Sequence, residues 1–328
     1  MAESKLSELL DFDPRNEDNS HKVDGDAIIR EVEKNPYSAE QKYLFLQNSN
    51  GTYMPTKCFP LHHAIALKLD INVINALSND VALKDKYFFT RCIHLALECD
   101  SSLEVVMLLL EKKPEAARVK GSLGQTPLHW ACKYRAPVEV VSLLLSRWPE
   151  SIKQKSSGGL TPLHQACIVG APVEVLSLLL KSWPDAIKEK DNYGHTFFHY
   201  ARMCRAPMNV ILLILDKWLE DKENRYSHKV ESLKYNASEN VKKLLSYVSS
   251  LFNDEANNPC PNEILSFFIG IKWWKGVLLL INRYPNMTKS FDLQTNAMAD
   301  YLSVVGQRCN LTTLWEVIEN EQDLLGDV

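Results

Sequence analysis

Thr126-Pro127-Leu128-His129-Trp130-Ala131-Cys132 returns 35 residues later as Thr161-Pro162-Leu163-His164-Gln165-Ala166-Cys167, and another 35 bring Thr196-Phe197-Phe198-His199-Tyr200-Ala201. Looser copies stand upstream. Cys92-Ile93-His94-Leu95-Ala96 has its histidine 35 residues before His129, and Phe59-Pro60-Leu61-His62-His63-Ala64 lies a further 32 before that. The residues downstream of each segment repeat as well. Ala136-Pro137-Val138-Glu139-Val140-Val141 matches Ala171-Pro172-Val173-Glu174-Val175-Leu176, and each runs through a serine into three leucines. Trp148, Trp183 and Trp218 keep the interval, as do Gly124, Gly159 and Gly194. Independent columns sharing one period are the signature of a stacked array.

Each column has a physical reading. A threonine hydroxyl accepts from an orphan N–H of the first helical turn, and proline at the first helical position forfeits no bond. Thr126-Pro127 therefore opens a helix, with Leu128, Ala131 and Cys132 as its narrow apolar face. Arg135-Ala136-Pro137 ends that helix and starts a second, whose Val138, Val141, Leu144 and Leu145 form a helical stripe. Pro149 and Pro184 follow the tryptophans directly and stop the second helix. The glycines shortly before each threonine suit a tight turn with positive φ. Each unit is thus loop, short helix, turn, longer helix. Neither helix can bury its face alone, so the units must stack.

These residues resemble the ankyrin repeat, most fully in Asp191-Asn192-Tyr193-Gly194-His195-Thr196 and in the Thr-Pro-Leu-His segments at 126 and 161. The likeness is close over Ser102–Trp218 and reaches back to Phe59 more loosely. There are departures. The units run 35 residues, where ankyrin units run about 33. The usual glycine between the helices is Arg135, Gly170 or Arg205 here, followed by an added Ala-Pro that predicts a longer inter-helix turn. The resemblance implies an all-α, ankyrin-type solenoid of about six to eight helix-turn-helix units, degenerate ends included.

The ends extend the same pattern. Residues 1–21 are polar and are expected to form a disordered tail. Residues 22–58 read as a degenerate capping repeat, with Ile28–Val32 and Lys42–Leu46 as its apolar segments; 59–220 hold the core repeats. The stretch 221–258 reads as a divergent or inserted helical segment around Val241, Leu244, Leu245, Val248 and Leu251. In 259–328, degenerate repeats and a cap are expected: Phe267–Pro285 aligns with Ala131–Pro149, and Leu311–Leu325 reads as the last helix. Arrays need atypical ends with a polar outer face.

Composition excludes several classes. A net charge of −4 argues against a general nucleic-acid binder, which needs a concentrated basic surface. The most apolar window, Ile264–Ile281, is broken by Lys272 and Lys275, so no membrane association is expected. The first residues show no basic start followed by an apolar stretch, and eight scattered cysteines have no paired spacing. An intracellular protein, cytoplasmic or nuclear, with reduced thiols is the expectation. The Asn-x-Thr/Ser triplets at Asn50, Asn236, Asn286 and Asn310 are then chance matches.

The His column (His94, His129, His164, His199) invites a metal or catalytic role. Packed helices sit about 8–10 Å apart, whereas ligands converge within about 2 Å of one ion. One histidine per repeat therefore makes no site. The ankyrin resemblance implies instead that each imidazole bonds nearby backbone. The same spacing argument keeps Cys132 and Cys167 apart as small core residues, and the tryptophans read as core or outer-edge packing. There is no phosphate-binding Gly-rich loop, nucleophile elbow, His-Glu-x-x-His or Cys-x-x-Cys. No catalytic, cofactor or metal site is expected.

The surface left free is the candidate site. In ankyrin arrays the loop tips and the exposed face of the first helix line a concave binding surface. By column position these are Ser122, Leu123 and Gln125, then Ser157, Gly158 and Leu160, then Asn192, Tyr193 and His195 at the tips. On the first helices they are Lys133 and Tyr134, Ile168 and Val169, and Met203 and Cys204. These positions change between units whose frame is nearly constant, and Tyr134, Ile168, Val169 and Tyr193 are of the types that dominate interfaces. The expectation is a non-catalytic interaction module or adaptor, a monomer binding a protein partner on this face. The alternative is an enzyme, or a regulatory subunit of one, with its activity in the divergent 221–328 region.

Overall fold

The computed structural model describes residues 5–15, 21–49, 52–85, 92–253 and 258–284. They belong to two compact units, Met1–Tyr200 and Ala201–Val328. The first begins with α1 (Lys5–Leu9), α2 (Gly25–Lys34) and a hairpin of β1 (Tyr43–Ser49) and β2 (Thr52–Cys58). Helix pairs come next: α3 (Pro60–Ala66) with α4 (Ile71–Leu77), then a short α5 (Asp80–Lys84), α6 (Cys92–Glu98) with α7 (Leu103–Lys112), α8 (Pro127–Lys133) with α9 (Val138–Arg147), and α10 (Pro162–Val169) with α11 (Val173–Ser182). The unit boundary falls within α12 (Phe197–Met203). Three of the second helices pass into proline-led 3₁₀ turns, Pro114–Arg118, Pro149–Lys153 and Pro184–Lys188. Among the described residues, the helix pairs of the first unit form an all-α repeat array that carries a two-stranded hairpin.

The repeated residues make the helices in the way their chemistry requires. Thr126 Oγ1 accepts from the His129 N–H, and His129 Nδ1 accepts from the Thr126 N–H at 3.3 Å, a reciprocal cap on α8. With Nδ1 an acceptor, the imidazole proton sits on Nε2 and donates to the Leu160 carbonyl of the next unit at 2.9 Å. His129 thus ties two consecutive repeats together. Thr161 and His164 build the same cap on α10. His62, His94, His129 and His164 are wholly buried. The stripe on α9 is set one step from the sequence reading: Val140, Val141 and Leu144 are buried, while Val138 and Leu145 are half-buried. Trp148, Trp183 and Trp218 are half-buried at helix ends.

Two terminal segments differ from the sequence reading. Lys42–Leu46, read as part of a degenerate repeat, enters the hairpin, where Leu44 points out and Phe45 and Gln47 point in. Buried Gln47 is satisfied by donating to His63 Nδ1, and His63 Nε2 donates to the Phe12 carbonyl at 3.1 Å. The polar first residues, expected as a disordered tail, include α1, whose Leu6 is fully buried, as is Leu10 just after it. The two leucines, four apart, lie on one face of that helical turn and are the residues it buries.

The turn between paired helices needs a left-handed residue, and Lys68, Asp100, Arg135 and Gly170 fill it at φ 55°, 54°, 58° and 65°. Two residues on, Pro137 has φ −55° and ψ 154°, and Ser102 in the preceding unit has φ −61° and ψ 159°. Proline fits the Ser102 backbone unchanged. Ser102→Pro with Ser101→Ala is therefore expected to stabilise the protein by about 0.4–1 kcal/mol by restricting the unfolded chain. A raised urea midpoint with an unchanged slope is the measurement; a lowered midpoint contradicts it.

The second unit continues with α13 (Met208–Trp218), α14 (Ser227–Ser232), α15 (Glu239–Ser250), α16 (Pro261–Gly270) and α17 (Trp274–Arg283). Val241, Leu244, Leu245 and Val248 are buried on α15, with Leu251 at its end. Residues 221–258 thus contain two helices where one amphipathic segment is legible in the sequence. The expected last helix, Leu311–Leu325, lies outside the described residues. Among those described, no helix is long and apolar enough to cross a membrane.

Candidate functional site

The loop tips before α8, α10 and α12 are joined to one another through backbone. The Ser157 N–H donates to the Leu123 carbonyl at 2.8 Å, and the Asn192 N–H donates to the Gly158 carbonyl at 3.1 Å. The Asn192 side-chain amide adds a bond to the Ser157 carbonyl at 2.9 Å. On this row, Leu123 and Tyr193 are 71% and 80% exposed, with Gly158 between them in sequence register. Ser122–Gly124 form a tight turn in which Leu123 and Gly124 both take left-handed backbone, at φ 57° and 67°. A leucine there is strained by about 1 kcal/mol. Ser157 and Asn192 are exposed and Leu160 is half-buried. Gln125 departs from its expected place: it is 7% exposed and donates to Gln165 Oε1 at 3.4 Å.

The third tip is organised by Asp191. Its side chain is 1% exposed, and its Oδ1 accepts from the Tyr193 and His195 N–H groups at 2.9 and 2.8 Å. Oδ2 accepts from the Tyr200 hydroxyl at 2.5 Å. Burial pushes this carboxyl up, but the bonds from Tyr200, His195 and Tyr193 outweigh it and hold the group below the usual aspartate range. His195 is half-buried and its ring stacks on His199 with centroids 4.0 Å apart. The arrangement aims the Tyr193 ring outward from a fixed turn.

Behind the tips lie the first-helix residues. Tyr134 is half-buried, donates to Glu98 Oε1 at 3.1 Å and packs on Trp130 at 5.4 Å between centroids. The Lys133 ammonium sits 5.2 and 5.0 Å over the Trp130 and Tyr134 rings. Burial first, then the charge of Glu98, raises the Tyr134 phenol well above its ordinary value. Ile168 and Val169 are half-buried. Met203, 62% exposed, and Cys204, exposed, belong to the second unit.

Comparison with protein families agrees with this geometry. A family model of ankyrin repeats in three copies matches residues 61–156, and a single ankyrin repeat matches 158–192. Residues 61–192 carry ankyrin repeats. A search of curated proteins returns no match. Ankyrin repeats are in general protein-interaction modules and typically carry no catalysis.

Within this ankyrin array, Leu123, Ser157, Asn192 and Tyr193 form one backbone-linked row, while Lys133 and Tyr134 belong to an aromatic cluster floored by Trp130. Among the described residues no group of three or more His, Cys, Asp or Glu could hold a metal ion. The sequence reading missed Trp130, Glu98 and Asp191. Trp130 carried a signal: the residue after the His column changes from Leu95 to Trp130, Gln165 and Tyr200, as freely as the candidate positions do. Asp191 stood in the sequence only as the start of the ankyrin-like segment; its bonds to the Tyr193 and His195 N–H groups and to the Tyr200 hydroxyl leave no mark in a single column.

Proposed function

We propose that this ankyrin-repeat protein is a non-catalytic adaptor that holds a protein partner on the face formed by the loop tips and first-helix ends of 122–195. The observation that carries the proposal is the exposure of Leu123 and Tyr193 on tips held by hydrogen bonds from one repeat to the next. Preformed loops lose little entropy on binding, and exposed aromatic and aliphatic anchors supply most interface energy. The Leu123 side chain buries little apolar surface in the fold, so its strained exposure is not offset by packing. The net charge of −4 favours a protein over a nucleic acid as the partner.

The test is Leu123→Asp combined with Tyr193→Asp; aspartate tolerates the left-handed backbone at 123. Affinity purification from cells is expected to lose specific partners seen with the unsubstituted chain, while thermal unfolding stays within about 0.5 kcal/mol of it. An unchanged set of partners would sink the assignment of this face.

A further inference from the structure

A cleft of about 430 Å³ opens between the α3–α4 turn and the α6–α7 turn. Its walls are apolar: Ile65, Leu69, Ile74 and Val105 are buried side chains, and Ile71 is half-buried. Its rim is acidic: the exposed carboxyl-bearing residues Asp70, Asp100 and Glu104 stand around it with one ammonium, that of Lys68. The cleft lies where the first helices end, whereas the loop tips precede their beginnings, so it is separate from the face assigned above. Its size is at the lower end of ordinary ligand sites.

Two features set this place apart from the equivalent turns. Later units put Ala136-Pro137 and Ala171-Pro172 here, whereas this turn has the polar pair Ser101-Ser102, both of which line the cleft. The helix-closing left-handed position, held by Lys68 across the cleft and by Arg135, Gly170 and Arg205 in later units, is acidic only here, at Asp100. Asp70 Oδ1 also caps α4 by accepting from the Asn72 N–H at 2.8 Å, and Glu104 lies in the first turn of α7. Asp100 is at neither helix start.

We propose that this cleft receives an arginine or lysine side chain from a basic segment of a protein partner. Such a side chain is an apolar stem with a cationic head. The stem would lie along the half-buried Ile71 and the edge of Val105, and the head would reach the rim carboxylates, where the guanidinium of arginine can take two oxygens at once. An acidic segment would meet three like charges, and a purely apolar one would leave the rim unused.

The full chain, labelled at isoleucine, leucine and valine methyls, is titrated with a capped pentapeptide of sequence glycine-arginine-leucine-arginine-glycine. A glutamate-for-arginine version is the control. Methyl shifts are expected at Ile71, Ile74 and Val105 with the basic peptide alone. Asp100→Asn with Glu104→Gln is expected to weaken binding about fivefold or more, and added salt to weaken it further. The proposal is overturned if the basic peptide leaves these methyls unmoved at millimolar concentration. It is equally overturned if the glutamate peptide binds as tightly, or if the charge-neutral variant binds unchanged.

Discussion

Stability is expected to fall steeply as the pH drops from about 6.5 to 4. Burial lowers the imidazoles of His62, His63 and His129 from 6.5 to about 4. For His63 the Leu10 and Phe12 carbonyls oppose burial without cancelling it. Burial also lowers His164. The sign comes from proton counts. In the unfolded chain each imidazole takes a proton near its ordinary value, whereas the folded protein refuses it until about 4. Between those values the unfolded state binds more protons, so acid drives unfolding. The stabilisation is complete above 6.5 and is lost progressively on the way to 4. Each imidazole is then worth about 3 kcal/mol, at about 1.4 kcal/mol per unit. Three of them together are on the order of a domain's whole stability.

Urea midpoints measured at pH 7, 6, 5 and 4.5 test this. His129→Gln removes one titrating group while leaving an amide near the cap, so it should cost stability at pH 7 and flatten the slope by about one proton. Asp13, Asp80 and Asp191, all held below the usual carboxylate range, add their own loss only at lower pH. A flat profile between 6.5 and 4.5 would mean that the folded protein protonates these imidazoles freely.

Whether an interaction was legible in the sequence depends on where it closes. The Thr126–His129 cap spans three residues and repeats every 35, so both its chemistry and its period were legible. The same cap gives the His column its structural role at 129 and 164. The hairpin was hidden by Gln47. Tyr43-Leu44-Phe45-Leu46 is apolar without alternation, Gln47 is polar yet points inward, and its partner, His63, is 16 residues away. Gln125 was placed on the tips by column position, but its partner Gln165 lies in the next repeat, 40 residues on. A pairing across repeats is invisible to a rule that reads one unit at a time. The cleft shows only when Ser101-Ser102 is compared with the Ala-Pro of its neighbours and the turns are seen side by side.

Gly159→Ala should cost far more than Gly194→Ala, although the two glycines occupy the same column. Both have left-handed backbone, at φ +79° and +81°. Any L-residue there is strained by about 1 kcal/mol. At Gly194 that is the whole expected cost, because an added Cβ meets nothing within 4 Å. At Gly159 the added carbon would run into the Asn192 side-chain oxygen and come within 2.6 Å of the Asn192 nitrogen. Backing away is not free, since that nitrogen donates to the Gly158 carbonyl and the Asn192 amide holds the Ser157 carbonyl. Relief of the clash breaks both ties between the second and third tips. The expected cost is about 3 kcal/mol, combining backbone strain with overpacking against a neighbour that cannot yield. Denaturant midpoints of the two variants measure the difference. The same substitution should also release the Tyr193 tip, so amide exchange at Asn192 and Tyr193 should quicken in Gly159→Ala and stay slow in the unsubstituted chain. Equal costs at 159 and 194 would show that the tips are not locked together, and a preformed binding face would lose its physical basis.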